Sequence, residues 1–496
     1  MFRFIRKGVA KLNSVLNKPQ ELTSDNIKYL EYEINQWKRS ETRKMQIVGE
    51  EYYDDKHDIL KRKRMAIGEG GKLNPVDNLP NNKVTDNQYA LLVDQKVNYL
   101  LSKPFTYETE DETYTGLLKD IFNKKFLRLF KNLGEDSLNG GIAWLHPYYS
   151  EKGELKFKRF EAREVLPFWK DSEHTELDFA VRLYVTEEFT GSKKETVEKV
   201  EVYTTDGVKR YILKNNCLIE DSINPHSSYI TIEDTTNGEQ QEVNWERVPL
   251  IAFKYNNNET PLIKRVKSLQ DGINTMLSDF ENNMQEDARN TILVLVNYDG
   301  QNLGEFRRNL SEYGAVKVKT VDGAAGDIKT LEVKVNADNY KAIIELFKKA
   351  IIENGRGYDA KSDKVGNNPN QMNIQSMYSD IELDTDGMET EYQASFEDLI
   401  WFIDNHLSNT GEGDFFDKEV NIKFNRKILI NESEMIDNCQ KSTGVISSET
   451  ITSRHPWVDD VAKERKRLEA EKQKAIEEYM AEDLPNESLG GGVGAE

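Results

Sequence analysis

Cysteine is nearly absent: Cys217 and Cys439 are the only two in 496 residues. Two distant thiols make neither a disulfide framework nor a Cys-rich zinc site, and such usage fits a reducing compartment or an assembly built in one. Long apolar runs are missing too. The longest, such as Thr291-Ile-Leu-Val-Leu-Val296, are strand-length, short of the roughly 20 residues of a membrane-spanning helix. Positive charge is in deficit, with 67 Lys+Arg against 87 Asp+Glu and a formal net charge of −20. So acidic a chain does not grip nucleic acid tightly along its length, although it can surround nucleic acid without holding it. The N-terminus, Met1-Phe-Arg-Phe-Ile-Arg-Lys-Gly-Val-Ala-Lys11, is basic and mildly amphipathic, and it lacks the apolar core and small-residue cleavage site of a signal peptide.

Recognisable catalytic chemistry is also missing. Gly68-Glu-Gly-Gly-Lys72 looks like a phosphate loop, but Ala66 stands where the first Gly of that pattern belongs and Leu73 replaces its Ser/Thr. A surface loop explains it better. Asp54-Asp-Lys-His57-Asp58 groups possible metal ligands, with Asp54 and Asp58 on one face if helical; lacking a spaced partner cluster, it reads as a solvated helix end. Asp384-Thr-Asp386-Gly387 departs from a calcium loop. The six histidines (His57, His146, His174, His226, His406, His455) sit in unrelated contexts, and no Gly-x-Ser-x-Gly elbow occurs. His146 reads as structural. Lys61-Arg-Lys-Arg64 reads as a solvated helix face. No catalytic residue, metal site or cofactor is expected.

What is present is periodicity. At 496 residues about three domains are expected, with a sizeable core, and 10 % aromatics argue against wholesale disorder despite 31 % charged residues. Ile27, Leu30, Ile34 and Trp37 mark a helix starting near Ser24, and a second covers Asp86 to Leu101, stopped by Pro104. Gly68 to Asn82 reads as a loop. From Phe105 to about Phe130 a short strand and one helix are expected, and Ile142 to Ile251 reads as short strands separated by turns. Thr260 as N-cap and Pro261 in the first turn open a helix over 262–288, about 40 Å long at 1.5 Å per residue. Gly272 is its weak point, at about 1 kcal/mol against Ala. A strand at 292–297, a short helix (Leu303 to Leu310) and strands at Ala315–Lys319 and Thr330–Val335 follow. A second long helix covers Ala337 to Asn354, ended by Gly355 and Gly357, and a third covers Ile374 to Leu407, with Asp386-Gly387 a candidate kink. The strand Glu419 to Phe424 precedes two helical pieces, one near Asn431 and one from Trp457 to Glu482.

These residues resemble the portal (head–tail connector) proteins of tailed double-stranded DNA bacteriophages, of the siphophage type from Gram-positive hosts. The resemblance is carried by Tyr52-Tyr-Asp-Asp-Lys-His-Asp-Ile-Leu60 with Arg62, Asn81-Asn-Lys83, and Val93-Asp-Gln-Lys-Val-Asn-Tyr-Leu-Leu-Ser-Lys-Pro104. It continues through Asn139-Gly-Gly-Ile-Ala-Trp144, Glu164-Val-Leu-Pro167, Val248-Pro-Leu-Ile-Ala-Phe-Lys-Tyr-Asn256, Ile292 to Tyr298 with Leu303-Gly-Glu-Phe306, and Met377-Tyr-Ser-Asp-Ile-Glu-Leu383. Together these span about residues 25–408; the order carries the likeness, no single motif does.

The resemblance implies an α+β portal fold with wing, helical stem, α/β clip, tunnel loop and helical C-terminal crown. Its boundaries fall at 1–24 for a flexible basic arm, 25–260 for the wing, 261–291 for a stem helix and 292–335 for the clip. Residues 336–355 make the second stem helix, 356–372 the tunnel loop, 373–408 a long helix bridging to the wing, 409–430 a wing strand, 431–484 the crown and 485–496 a disordered tail. Stem packing falls on Leu269, Ile273, Phe280, Ile344 and Phe347. The tunnel loop offers Lys361, Lys364, Asn367 and Asn368 to passing DNA, and the clip offers Arg307, Arg308, Lys317 and Lys319 for docking. Such proteins form a ring, dodecameric in the virion, at one capsid vertex. The implied partners are further copies of the chain, non-specifically bound double-stranded DNA, the terminase large subunit, a head-completion or adaptor protein, and the major capsid and scaffolding proteins, with no membrane and with assembly in the host cytoplasm. Twelve chains at −20 carry about −240, which opposes tight phosphate gripping and suits sliding DNA. The competing readings are another head–tail connector or minor capsid protein, and a nucleic-acid enzyme.

Overall fold

The computed structural model describes residues 24–67, 72–77, 79–190, 193–233, 240–287, 292–296, 327–331, 337–359, 371–426, 432–458 and 461–482. Two compact units divide the chain: Met1–Tyr358 with Asp380–Lys427, and Asp359–Ser379 with Ile428–Glu496.

The first unit opens with α1 (Ser24–Lys38) and α2 (Glu41–Tyr53). The Ser40 hydroxyl between them accepts the Arg43 amide at 3.1 Å and caps α2. A hairpin of β1 (Met65–Ile67) and β2 (Leu73–Pro75) follows. It corrects the loop reading at Leu73–Pro75 alone, the other described residues of 68–82 carrying no helix or strand; a three-residue strand with every residue exposed leaves no alternation to detect. Asn87 caps α3 (Gln88–Leu101), which ends before Pro104 as predicted. After β3 (Thr106–Glu108) the expected single helix is two, α4 (Glu112–Ile121) and α5 (Lys124–Gly140). The break falls at Asn123, whose side chain caps α5 by accepting the Lys125 and Phe126 amides.

Between Ile142 and Lys254 the described residues are mainly strands and turns, as expected: β4 (Ile142–Tyr149), β5 (Leu155–Phe160), β6 (Val165–Trp169), β7 (Leu177–Thr190), β8 (Lys193–Thr204), β9 (Gly207–Lys214), β10 (Cys217–Glu220), β11 (His226–Ser227), β12 (Ile230–Glu233), β13 (Gln240–Val243) and β14 (Ile251–Lys254). All their pairings are antiparallel. The largest sheet runs β10-β9-β8-β7-β6 with β11 beside β9, and a smaller one runs β14-β4-β5. Strand alternation splits β7 between two cores. Phe179, Val181 and Leu183 join Val200 and Val202 against Leu30, Ile34 and Trp37 of α1. Ala180 turns the other way, toward Trp144, Phe160 and Tyr203.

Beyond the strands lie α6 (Ile263–Asp287), the pair β15 (Ile292–Val296) and β16 (Asp327–Leu331), α7 (Ala337–Gly355), α8 (Gln371–Thr410) and β17 (Asn421–Lys423), which pairs with β3. The helix expected at Leu303–Leu310 and the strand at Ala315–Lys319 lie outside the described residues; β16 starts three residues before the predicted Thr330. α8 continues as one helix through Asp386-Gly387. Its Met388, Tyr392, Phe396, Leu399 and Ile403 enter the main core. There Phe105 is the hub, with its ring centroid 5.0 Å from Phe396, 5.2 Å from Phe122 and 5.7 Å from Phe130, all edge-on.

In the second unit α9 (Glu432–Lys441), α10 (Ser448–Arg454) and α11 (Val461–Glu482) replace the two pieces expected. Gly444, at φ 85°, turns the chain out of α9, and Ser447 caps α10.

Candidate functional site

α6 and α7 pack antiparallel. Phe280 lies 5.2 Å from Tyr340, ring to ring, and Asn283 Nδ2 donates to the Tyr340 hydroxyl at 3.0 Å. Nearer the start of α6, a Cβ on Gly272 would lie 2.7 Å from the Phe347 ring. Gly272 is therefore the notch that admits Phe347, not merely a weak point. Leu269 and Phe347 pack half-buried on the main core, Ile273 is fully buried within it, and Ile344 is half-buried. Thr260 is not the cap of α6, which begins at Ile263. Its amide instead donates to Asn256 Oδ1 (3.1 Å) and its carbonyl accepts from Asn256 Nδ2 (2.8 Å), closing a turn ahead of the helix.

A second, polar stripe of α6 was not anticipated. Gln270, Asn274, Ser278 and Asn282 recur every fourth residue, and all four are fully buried. They satisfy the backbone of segment 82–89. The amides of Asn82, Val84 and Asp86 donate to Asn282 Oδ1 (2.8 Å), Ser278 Oγ (2.9 Å) and Asn274 Oδ1 (3.1 Å). Gln270 Oε1 accepts the next two rungs, the amides of Gln88 (3.0 Å) and Tyr89 (3.1 Å), and its Nε2 donates to the Asp86 carbonyl at 2.8 Å. The match is metric: two extended residues advance about 6.6 Å and four helical residues about 6.0 Å. Lys348 of α7 ties to the same segment through Asp86 at 2.6 Å.

A second set of contacts grips α6 from residues 52–64. Lys267 Nζ donates to Asp58 (2.7 Å), Asp271 (2.8 Å) and the Tyr52 hydroxyl (3.0 Å). Arg62 reaches Asp279 at 2.5 Å, with Arg64 at 3.9 Å from the same carboxylate. Lys61 to Arg64 is thus no solvated helix face. Asp54 to Asp58 is the solvated end of α2, His57 excepted: Asp54 is its C-cap, and Asp54, Asp55, Lys56 and Asp58 are exposed. α2 stops at Tyr53 and Asp58 opens a separate 3₁₀ turn (Asp58–Lys61), so the two aspartates share no helix face. His57 is fully buried: Asn274 Nδ2 donates to its Nδ1 at 2.6 Å, and its Nε2–H donates to the Tyr52 carbonyl at 3.1 Å. The runs Tyr52 to Arg62 and Asn81 to Lys83 thus converge on one helix.

At the exit of α7 a buried charge cluster gathers. Lys96, fully buried on α3, donates to Asp384 Oδ2 (2.7 Å) and to the Arg356 carbonyl (2.9 Å). Tyr255 donates to the same Oδ2 (2.5 Å), and Arg265 Nη1 to Oδ1 (2.7 Å). Burial pushes the Lys96 ammonium down, against the pull of Asp384. Burial pushes Asp384 up, but the Lys96 charge and the hydrogen bonds from Lys96, Tyr255 and Arg265 outweigh it and hold the carboxyl below its ordinary range. Gln95 adds a clamp, donating to the Tyr358 carbonyl at 2.9 Å. The left-handed residue ending α7 is Arg356, at φ 52°, and not a glycine. Gly355 and Gly357 serve close approach instead, since a Cβ on either would lie 2.4 Å from Leu92.

Of the expected helix-packing residues, Leu269, Ile273 and Phe347 meet at the main core, and Phe280 meets Tyr340. Lys361, Lys364, Asn367 and Asn368, and Arg307, Arg308, Lys317 and Lys319, lie outside the described residues. His146 is structural, its Nδ1–H donating to the Pro249 carbonyl at 2.6 Å. Among the described residues no group of three or more His, Cys, Asp and Glu is arranged to hold a metal ion, and no helix is long and apolar enough to cross a membrane. The polar stripe had a sequence signal, Gln/Asn/Ser/Asn at fourfold spacing; Lys96 had one too, a lone charge among Val93, Val97 and Leu100.

A buried lattice of side chains that fixes one helix pair is the build of a structural scaffold. The model of the family described as "Phage portal protein, SPP1 Gp6-like" matches residues 30–478, and the chain belongs to that family. Its role is that of a portal connector. It is 28 % identical over 434 residues to the portal protein of Bacillus phage SPP1, covering 86 % of this chain and 83 % of that one. To the portal protein of Clostridium phage phiCD119 it is 28 % identical over 452 residues, covering 89 % and 95 %. A chain from the neck of a native GTA particle, computed with C12 symmetry, aligns with TM-score 0.37 and 11 % identity over 74 % of this chain and 89 % of that one.

Proposed function

We propose that copies of this chain close into a ring, dodecameric in the virion, whose channel conducts double-stranded DNA during packaging and ejection. α6 and α7 are the stem of each subunit, residues 292–335 the clip, 356–372 the tunnel loop and 431–484 the crown, with the wing at 25–260 and α8 bridging back to it. The observation that carries this reading is one-sided burial of the helix pair. The pair is held by the polar stripe and the main core, yet Leu346 (63 % exposed), Met284 (52 %) and Ile343 (36 %) stand open in the single chain. Large apolar side chains along a supported helix pair call for a neighbouring copy.

The chain performs no catalysis in this reading, and the energy for translocation comes from the terminase large subunit docked at the clip through Arg307, Arg308, Lys317 and Lys319. A head-completion or adaptor protein takes that place afterwards, and the wing and crown meet capsid and scaffolding proteins at the portal vertex, after assembly in the host cytoplasm. A strongly acidic ring repels DNA rather than trapping it, which suits two-way sliding. Lys361 and Lys364 supply transient, sequence-independent contacts. Negative-stain imaging of the purified chain tests the proposal: rings with a central hole and no nucleotide hydrolysis are expected. Monomers at high concentration, with hydrolysis, reject it.

A further inference from the structure

The cluster at Asp384 is not charge-balanced. Lys96 and Tyr255 take Oδ2 (2.7 and 2.5 Å), while Arg265 (2.7 Å) and Arg356 (3.7 Å) converge on Oδ1. One carboxylate thus faces three cations, and among the described residues it is the only carboxylate within ion-pair distance of either arginine. Lys96 is sealed in, but the Arg265 and Arg356 side chains are 32 % and 53 % exposed. The surplus charge is therefore presented to solvent through two guanidinium groups, each with five donors, of which Asp384 occupies few. The Lys96 ammonium feels the surplus: burial depresses it most, and the charges of Arg265 and Arg356 depress it further. Arg356 also holds a left-handed backbone, φ 52°, at a position where glycine would be unstrained. Strain kept for a particular side chain points to a task for that side chain.

We infer that Arg265 and Arg356 form a binding subsite for a phosphate oxyanion, occupied in the assembled ring by the backbone of passing DNA. Paired guanidinium forks match phosphate oxygens in geometry as well as charge. Arg356 stands next to the segment proposed as the tunnel loop, so the identity of the anion rests on the portal reading; the anion site itself does not.

Two measurements on the full chain separate these. Thermal unfolding is followed in chloride and in inorganic phosphate at equal ionic strength. The native chain is expected to melt higher in phosphate. Arg356→Gly, which relieves the backbone, is expected to melt no lower than the native chain in chloride and to lose the phosphate increment, while Arg356→Lys keeps part of it. Absence of a phosphate increment in the native chain, or its survival in Arg356→Gly, overturns the subsite. In the second measurement rings bind a duplex oligonucleotide across a salt series. Arg356→Gly is expected to lower the magnitude of the log–log salt slope by about 1 for each subunit in contact. A phosphate increment with an unchanged slope overturns the DNA assignment and leaves free phosphate as the ligand. Failure to form rings would count against the portal reading while the phosphate arm still reads the site.

Discussion

Two interiors of the first unit work by opposite means. Around Phe105 the core is rings and branched aliphatics, drawn from α4, α5, α8, β14 and the segment after β17. Along α6 the interior is amide and hydroxyl, aligned rung by rung on segment 82–89. Apolar packing is strong but undirected, so it holds elements together without choosing a register. A hydrogen bond adds less net stability, yet a buried amide without an acceptor is costly, so each rung forbids a slipped helix. The apolar interior supplies cohesion and the polar one supplies position. A scaffold that must present a helix pair at a set height needs both.

The largest expected effect tests cohesion. Phe396→Ala removes a ring 5.0 Å from Phe105 and 5.3 Å from Phe130 and is expected to cost about 3–5 kcal/mol, read as a lower guanidinium midpoint with an unchanged slope. A loss below about 1 kcal/mol would break the contrast.

Acid stability gives the next effect. Burial pushes the His146 imidazole down to about 4, against the hydrogen bond to Pro249. The unfolded chain, with an ordinary value near 6.5, takes up its proton first as pH falls. This contribution is therefore complete above about pH 6.5 and is lost between there and pH 4, amounting to about 3 kcal/mol. His146→Gln, which can still donate to the Pro249 carbonyl, should flatten the fall of the unfolding midpoint over that window. Identical profiles would show that His146 does not carry it.

The smallest effect tests position. Gln270→Ala strips the acceptor from two buried amides and is expected to cost about 1–3 kcal/mol. Hydrogen exchange should rise at Gln88 and Tyr89 while the amides around Phe396 stay protected. A cost matching that of Phe396→Ala, or exchange rising in both regions, would dissolve the distinction.

The helices were legible because their burial is periodic in their own residues. Leu30, Ile34 and Trp37, or Met388, Tyr392 and Phe396, announce a buried face at any distance from what covers it. The split at Asn123 was readable in principle, since Asn caps helices, but apolar residues on both sides hid it. The polar seat was not legible. Segment 82–89 takes part through backbone amides, which have no sequence signature, and its partners lie about 180–200 residues away. The same holds for His57, whose buried Nδ1 meets Asn274, 217 residues away.

Periodicity and residue chemistry by themselves determined a strand-rich block among helices, the long helices with their apolar faces, and the order helix, strand-bearing module, helix, long helix, because those follow from local spacing and from what each side chain gains on leaving water. Only the tertiary structure decided that α6 carries a second, polar buried face, that Gly272 is a notch for Phe347, and that one aspartate meets three cations. Each of these joins residues far apart in the chain. The free energy of such a contact exists only once both partners are brought together, and no single stretch of sequence contains it.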